Sequence, residues 1–274
     1  MSRKFKAGLI DLTPILVSLL FGVFCAFLIL TFPPEIYGIT PFPEGIGSLG
    51  NAFYFVILVG VGASMIYLLM KRKNLRLIVW IIGFALTSAV FMLSMIYISA
   101  AFSRFAVPNM EVLTLVLSIF ITALADYAIF GKHSKIRDLV VLFLGGALGT
   151  LLGFSIPTLS AILILSFLAV YDIFAVYHGP VGKIARSGLD QLRGLSFSFR
   201  DIQMGLGDLT FYSMLSGSML VNPDFGFISC LASIIGILFG CLLAFKMLER
   251  KGMFPGLPFP IFFGLTAGLL ASLI

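Results

Sequence analysis

Two aspartates carry the chemistry that this chain can be expected to do. Asp172 follows Tyr171 in the apolar run Leu165–Tyr177, and Asp208 closes Gly205-Leu206-Gly207-Asp208. A carboxyl in hydrocarbon is costly unless it is paired or wet, so it is a functional hypothesis by default. Two carboxyls that share a site do not readily ionise together. One holds its proton while the other is charged, and the two titrate as a unit. That asymmetry suits peptide hydrolysis, because the ionised group takes a proton from water while the neutral one donates to the scissile carbonyl. Such a mechanism requires no metal, cofactor or covalent nucleophile. The two histidines, His133 and His178, are too far apart in pattern to suggest a metal site.

The residues around the acids fit that chemistry. Gly205 and Gly207 flank Leu206 just before Asp208; they remove side-chain bulk and permit a broken helix entrance. Tyr212, one turn beyond Asp208, lies on its face and is placed to orient it. Tyr171 reads as a packing and hydrogen-bonding neighbour of the acids. A third segment, Pro255-Gly256-Leu257-Pro258, precedes the last apolar run. Proline supplies no N–H, so regular helix cannot start there and carbonyls are left without helical partners. A peptide bond in a substrate helix must unwind before water reaches it, and unwound backbone in a membrane must be paired. Strand addition provides such pairing. Leu195 to Phe199 alternates with period two, a strand signal that calls for a partner. Leu195, Phe197 and the 255–258 segment are therefore expected to flank an extended substrate.

What must position these residues is a membrane bundle. The chain is 60% hydrophobic and only 11% charged over 274 residues. A soluble domain is nearer half apolar and a quarter charged. Apolar runs at 11–31, 51–70, 76–98, 111–130, 138–154, 157–178, 205–222, 225–246 and 256–273 predict nine transmembrane helices in an all-α fold. The run from Leu12 to Phe32 is too long for a signal-peptide core and reads as a retained first span.

Charge orients the bundle. Of the 18 Lys and Arg residues, all but Arg104 fall at the N-terminus or in the 2–3, 4–5, 6–7 and 8–9 connections. Positive loops stay in the cytoplasm, so the N-terminus is expected inside and the C-terminus outside. The net charge of +6 is then a topology signal, and no nucleic-acid partner is expected. Asp172, the entrance carrying Asp208 and the 255–258 segment all fall near the cytoplasmic face.

Other features are read as packing. Gly145, Gly149 and Gly153, Gly236 and Gly240, and Gly264 and Gly268 recur at four-residue steps, which lets helices approach closely. Cys25, Cys230 and Cys241 sit in apolar runs as packing residues. Lys183 to Arg193 has the spacing of a short interfacial amphipathic helix, and residues 33–50 read as an irregular external loop. Asp126 reads as an interfacial contact or a bond to a neighbour.

Tyr171-Asp172, Gly205-Leu206-Gly207-Asp208 and Pro255-Gly256-Leu257-Pro258, in this order, resemble the three signatures of the presenilin and signal-peptide-peptidase family of intramembrane aspartyl proteases. The stretch Gly205 to Ser213 is especially similar to the presenilin version. The resemblance implies a presenilin-like fold over residues 1–274 as one polytopic membrane domain. It also implies Asp172 and Asp208 as the catalytic residues, and cleavage of transmembrane-helix substrates within the bilayer. Residues 1–156 are then a scaffold, and 157–274 carry the catalytic helices. Gly256 stands where the family usually has Ala, and the 6–7 loop is far shorter than in eukaryotic presenilins. The resemblance does not imply the partner subunits of the eukaryotic complex; a homo-oligomer is compatible with it. Short loops favour a prokaryotic cell membrane.

Three other readings remain beside this one. Intramembrane acids also mark an ion- or proton-coupled transporter or channel. Against that, both acids sit at one shallow level and no internal repeat is visible. A prepilin-peptidase-like enzyme shares the GxGD letters but not the Pro-Gly-Leu-Pro segment. The two acids could also be structural, each bonded to a polar neighbour within the bundle.

Overall fold

The computed structural model describes residues 7–31, 39–72, 75–105, 109–131, 134–179, 194–200 and 202–273. A short 3-10 turn, Leu9–Leu12, leads into α1 (Thr13–Thr31), α2 (Gly47–Lys71), α3 (Leu75–Phe102), α4 (Met110–Phe130), α5 (Ser134–Ser155) and α6 (Thr158–Tyr177). Two strands follow, β1 (Ser196–Phe199) and β2 (Ile202–Gly205), then α7 (Leu206–Val221), α8 (Gly226–Lys251) and α9 (Pro258–Ala271). The described residues thus hold nine α-helices, in the order the apolar runs predict. The amphipathic helix read at Lys183–Arg193 and the proline pair of the first loop lie outside the described residues.

Seven of these helices are long and apolar enough to cross a bilayer. The exceptions are α7, with 16 residues, and α9, with 14. Both begin later than their apolar runs. Residues 202–205 are taken by β2, and 255–257 form a non-helical entrance before Pro258 at the first helical position. α7 can be short because most of its length is buried in protein, where neighbouring helices replace lipid.

The core is built on α5 and α7, which pack along each other; α1 lies against both, and α8 carries α9 on its other side. The glycine steps are the physical reason. A Cβ on Gly145 would lie 2.7 Å from Leu209 Cβ, and one on Gly153 would lie 2.6 Å from the Met214 carbonyl oxygen. Gly236 and Gly240 meet the α9 backbone at Phe263 and Phe259 in the same way. α3 pairs with α4 at the periphery, and α2 leans on α6. Asp126 is bonded to a neighbour as read, accepting from Thr87 Oγ1 at 2.8 Å. All three cysteines are buried and unbridged.

Contacts at the two ends fit an up-and-down bundle. At one end the N–H of Ala7 donates to Glu249 and Arg200 pairs with Asp11. At the other, Leu159 N–H donates to Glu44, and Asn222 donates to Thr158.

Candidate active site

α6 and α7 bring the two aspartates to one cavity. Asp172 lies five residues before the end of α6, and Asp208 is the third residue of α7. Both are half-buried, and both line a cavity of about 860 Å3. Its wall is completed by β2, by α8 from Cys241 to Glu249, and by residues 252–257.

The helix start explains the setting of Asp208. Gly205 is the N-cap of α7 with extended φ and ψ, and its N–H is directed at the Asp208 carboxylate three residues on. This is the return half of a capping box, in which the third helical residue reaches back to the cap. Side chains on Gly205 or Gly207 would meet nothing nearer than 3.8 Å. Those glycines keep space open beside the acid.

Asp172 is held by the loop before α9. Leu257 N–H donates to Asp172 Oδ2 at 3.0 Å, and the N–H of Gly256 is directed at the same carboxylate. Gly256 is also against the other acid: a Cβ there would lie 2.9 Å from Asp208 Oδ2. The glycine thus sits between the two carboxyls, one bonded to its loop and the other resting on its Cα. Tyr212 Oη donates to the Gly256 carbonyl at 2.7 Å, beside the Cys241 thiol. Its bond is to the loop that holds Asp172, rather than to Asp208, the acid that helix spacing predicts it to orient. Tyr171 lines the cavity with its hydroxyl against Gly60 of α2, where a Cβ would come within 3.2 Å.

The strand expectation changes edge. β1 is not alone; it pairs antiparallel with β2, with Phe197 opposite Met204 and Ser198 opposite Gln203. Leu206 N–H continues the ladder to the Leu195 carbonyl at 2.7 Å. Phe197 is buried, and neither it nor Leu195 lines the cavity. β1 packs on α5, so the strand facing the cavity is β2, whose residues Ile202, Gln203, Met204 and Gly205 all line it. The sequence carried a signal for β2: apolar residues recur in alternation at Phe197, Phe199, Ile202 and Met204 across a two-residue break. Cys241 and Glu249 gave no such signal. Among the described residues no group of His, Cys, Asp and Glu has the arrangement of a metal site.

The family described as signal-peptide peptidase, presenilin aspartyl protease matches residues 17–190. The chain belongs to this family. The matched stretch contains Tyr171-Asp172 and ends before Asp208 and the 255–258 segment. A solved presenilin family intramembrane aspartate protease in a C222 crystal form is similar with a TM-score of 0.69 and 20% identity, over 96% of this chain and 98% of that one. A P2 crystal form of such a protease gives a TM-score of 0.66 at 19% identity, covering 99% of both chains. At these identities the likeness concerns the fold. None of the curated proteins matches. This presenilin-family chain is therefore a multi-pass intramembrane aspartyl protease, and its substrates are membrane proteins cleaved within their transmembrane segments.

Proposed function

We propose that Asp172 and Asp208 are the catalytic pair, acting on a substrate segment drawn into the cavity between β2 and the 255–257 loop. The observation that carries this reading is the single cavity lined by both carboxyls with Gly256 between them. The ionised carboxylate takes a proton from water as the water oxygen bonds to the scissile carbonyl carbon. The protonated carboxyl gives its proton to the carbonyl oxygen, leaving a gem-diol. In the return step the nitrogen receives a proton from the first carboxyl, the C–N bond breaks, and a diol proton passes to the second. Both groups end as they began.

Substrate enters as a helix and reacts as a strand. The cavity-facing edge of β2 supports pairing by strand addition, with Pro255, Gly256 and Leu257 lining the same cavity; Pro258 starts α9 and does not line it. Residues 157–274 carry the chemistry and 1–156 scaffold it. The charge pattern supports a cytoplasmic N-terminus, an external C-terminus and a cavity opening at the cytoplasmic face of a cell membrane.

The test uses the purified full chain in detergent with a fluorescent transmembrane peptide. Asp172→Asn and Asp208→Asn are each expected to abolish cleavage, and a transition-state-mimicking aspartyl-protease inhibitor to block it. Cleavage that survives either substitution rejects the assignment.

A further inference from the structure

Asp11 is a carboxylate the catalytic reading does not use. It lies in the 3-10 turn ahead of α1, and only 4% of its surface is exposed. Its Oδ2 accepts from Gly8 N–H at 2.9 Å, and its Oδ1 lies 3.8 Å from Arg200 Nη1. Arg200 leaves β1 with φ +54°, the left-handed geometry that suits a tight hairpin turn. A buried acid before the first helix therefore grips the tip of the hairpin whose second strand lines the cavity. The same short segment also reaches α8, because Ala7 N–H donates to Glu249 at 3.2 Å and Glu249 lines the cavity too.

A second carboxylate holds the hairpin from another side. Asp138, in the first turns of α5, faces the backbone N–H of Ser198 in β1. Pairing places Ser198 opposite Gln203, and the Leu195–Leu206 bond makes alternate positions bond inward. Counting from that bond, Ser198 directs its N–H away from β2, toward α5. A two-stranded ribbon is marginal by itself and has two edges that can pair. Here one edge is set against Asp138, the tip is tied to Asp11, and the remaining edge faces the cavity.

We propose that Asp11 is a positioning residue for proteolysis: through Arg200, and together with Asp138, it fixes the β1–β2 hairpin so that β2 offers the substrate one register. This rests on the reading that substrate pairs with β2. Register decides which peptide bond lies between the two catalytic acids. A strand that shifts by two residues shows the same face with a different bond in place. Loosening the hairpin should therefore spread the cut sites as well as slow the reaction, which loss of general stability would not do.

The experiment follows a transmembrane peptide by mass spectrometry, with full-length Asp11→Asn, Arg200→Gln, the double variant, the exchanged pair Asp11→Arg/Arg200→Asp, and Asp208→Asn as control. Arg200 is more than half exposed, so Arg200→Gln carries the test should Asp11→Asn lower the yield. Each single change is expected to lower kcat/KM about tenfold and add cuts at bonds two residues from the main one. The double variant should be no worse than either single, and the exchanged pair should recover at least half the lost rate and the single main cut. A wild-type rate and cut pattern in Arg200→Gln overturns the proposal, as do additive losses without recovery on exchange. If Asp208→Asn still cleaves, the catalytic assignment itself has failed; if it is dead while Arg200→Gln is unchanged, only the role of Asp11 is lost.

Discussion

Leu257 gives its backbone N–H to Asp172 across 3.0 Å, so a loop 85 residues away in the chain holds one of the two acids. Leu257→Pro deletes that donor. Leu257 has φ −78°, within reach of proline, and the ring Cδ takes the space of the lost N–H, so Asp172 loses its donor and must also turn aside. A hydrogen bond to a charged group is worth roughly 1.5–3 kcal/mol, which corresponds to about ten- to hundred-fold in rate. Leu257→Ala keeps the N–H and loses the buried side chain. Cleavage assays should find the proline variant much slower than the alanine variant, with similar thermal stability.

Gly256→Ala restores the side chain usual in the family and places a Cβ 2.9 Å from Asp208 Oδ2. The obstacle is the end of a side chain, so the carboxyl turns aside and the fold survives. A displaced catalytic group costs on the order of tenfold or more. Peptide cleavage should fall by that order while the melting temperature in detergent stays within a few degrees.

Tyr212→Phe removes the hydroxyl that bonds the Gly256 carbonyl and leaves that oxygen without its partner. An unsatisfied buried acceptor costs about 1–3 kcal/mol. The loop should loosen, lowering kcat several-fold with little change in KM, because Tyr212 acts on the loop that grips Asp172. A change confined to KM would show that Tyr212 contacts substrate instead.

Gly149→Val tests the seam between α5 and α7. Its side chain would run into the Thr210 carbonyl and come within 2.6 Å of Ser213 Cβ. Backbone cannot yield as a carboxyl does, and overpacking of this kind costs typically 1–3 kcal/mol or more. The variant should lose yield and melt markedly earlier, whereas Gly207→Ala, with 3.9 Å to its nearest neighbour, should fold normally.

The acids and the helix order were legible because both are local signals. A carboxyl in an apolar run is conspicuous, and charge alternates loop by loop. Asp11 is silent in the sequence because its meaning lies in Arg200, a contact that no spacing encodes. β2 is not marked off in the sequence because Ile202 to Gly205 is only four residues long and runs straight into the apolar stretch that starts at 205. Tyr212 was placed on the right face of its helix, but its partner proved to be a carbonyl on a distant loop. Which strand of a hairpin faces a cavity is likewise invisible until its neighbours are known: β1 carries the clearer pattern, yet it packs on α5.

The brevity of α9 has its own consequence. Fourteen residues rise about 21 Å, short of a hydrocarbon layer of roughly 30 Å. Phe262, Leu269 and Leu270 are exposed along it, which leaves an apolar face of this helix for lipid. Local thinning of the bilayer beside α9 is one way to match so short a span. Thinning there would lie next to the 255–257 loop and would bring headgroups and their solvent toward the cavity where a hydrolase needs its second reactant.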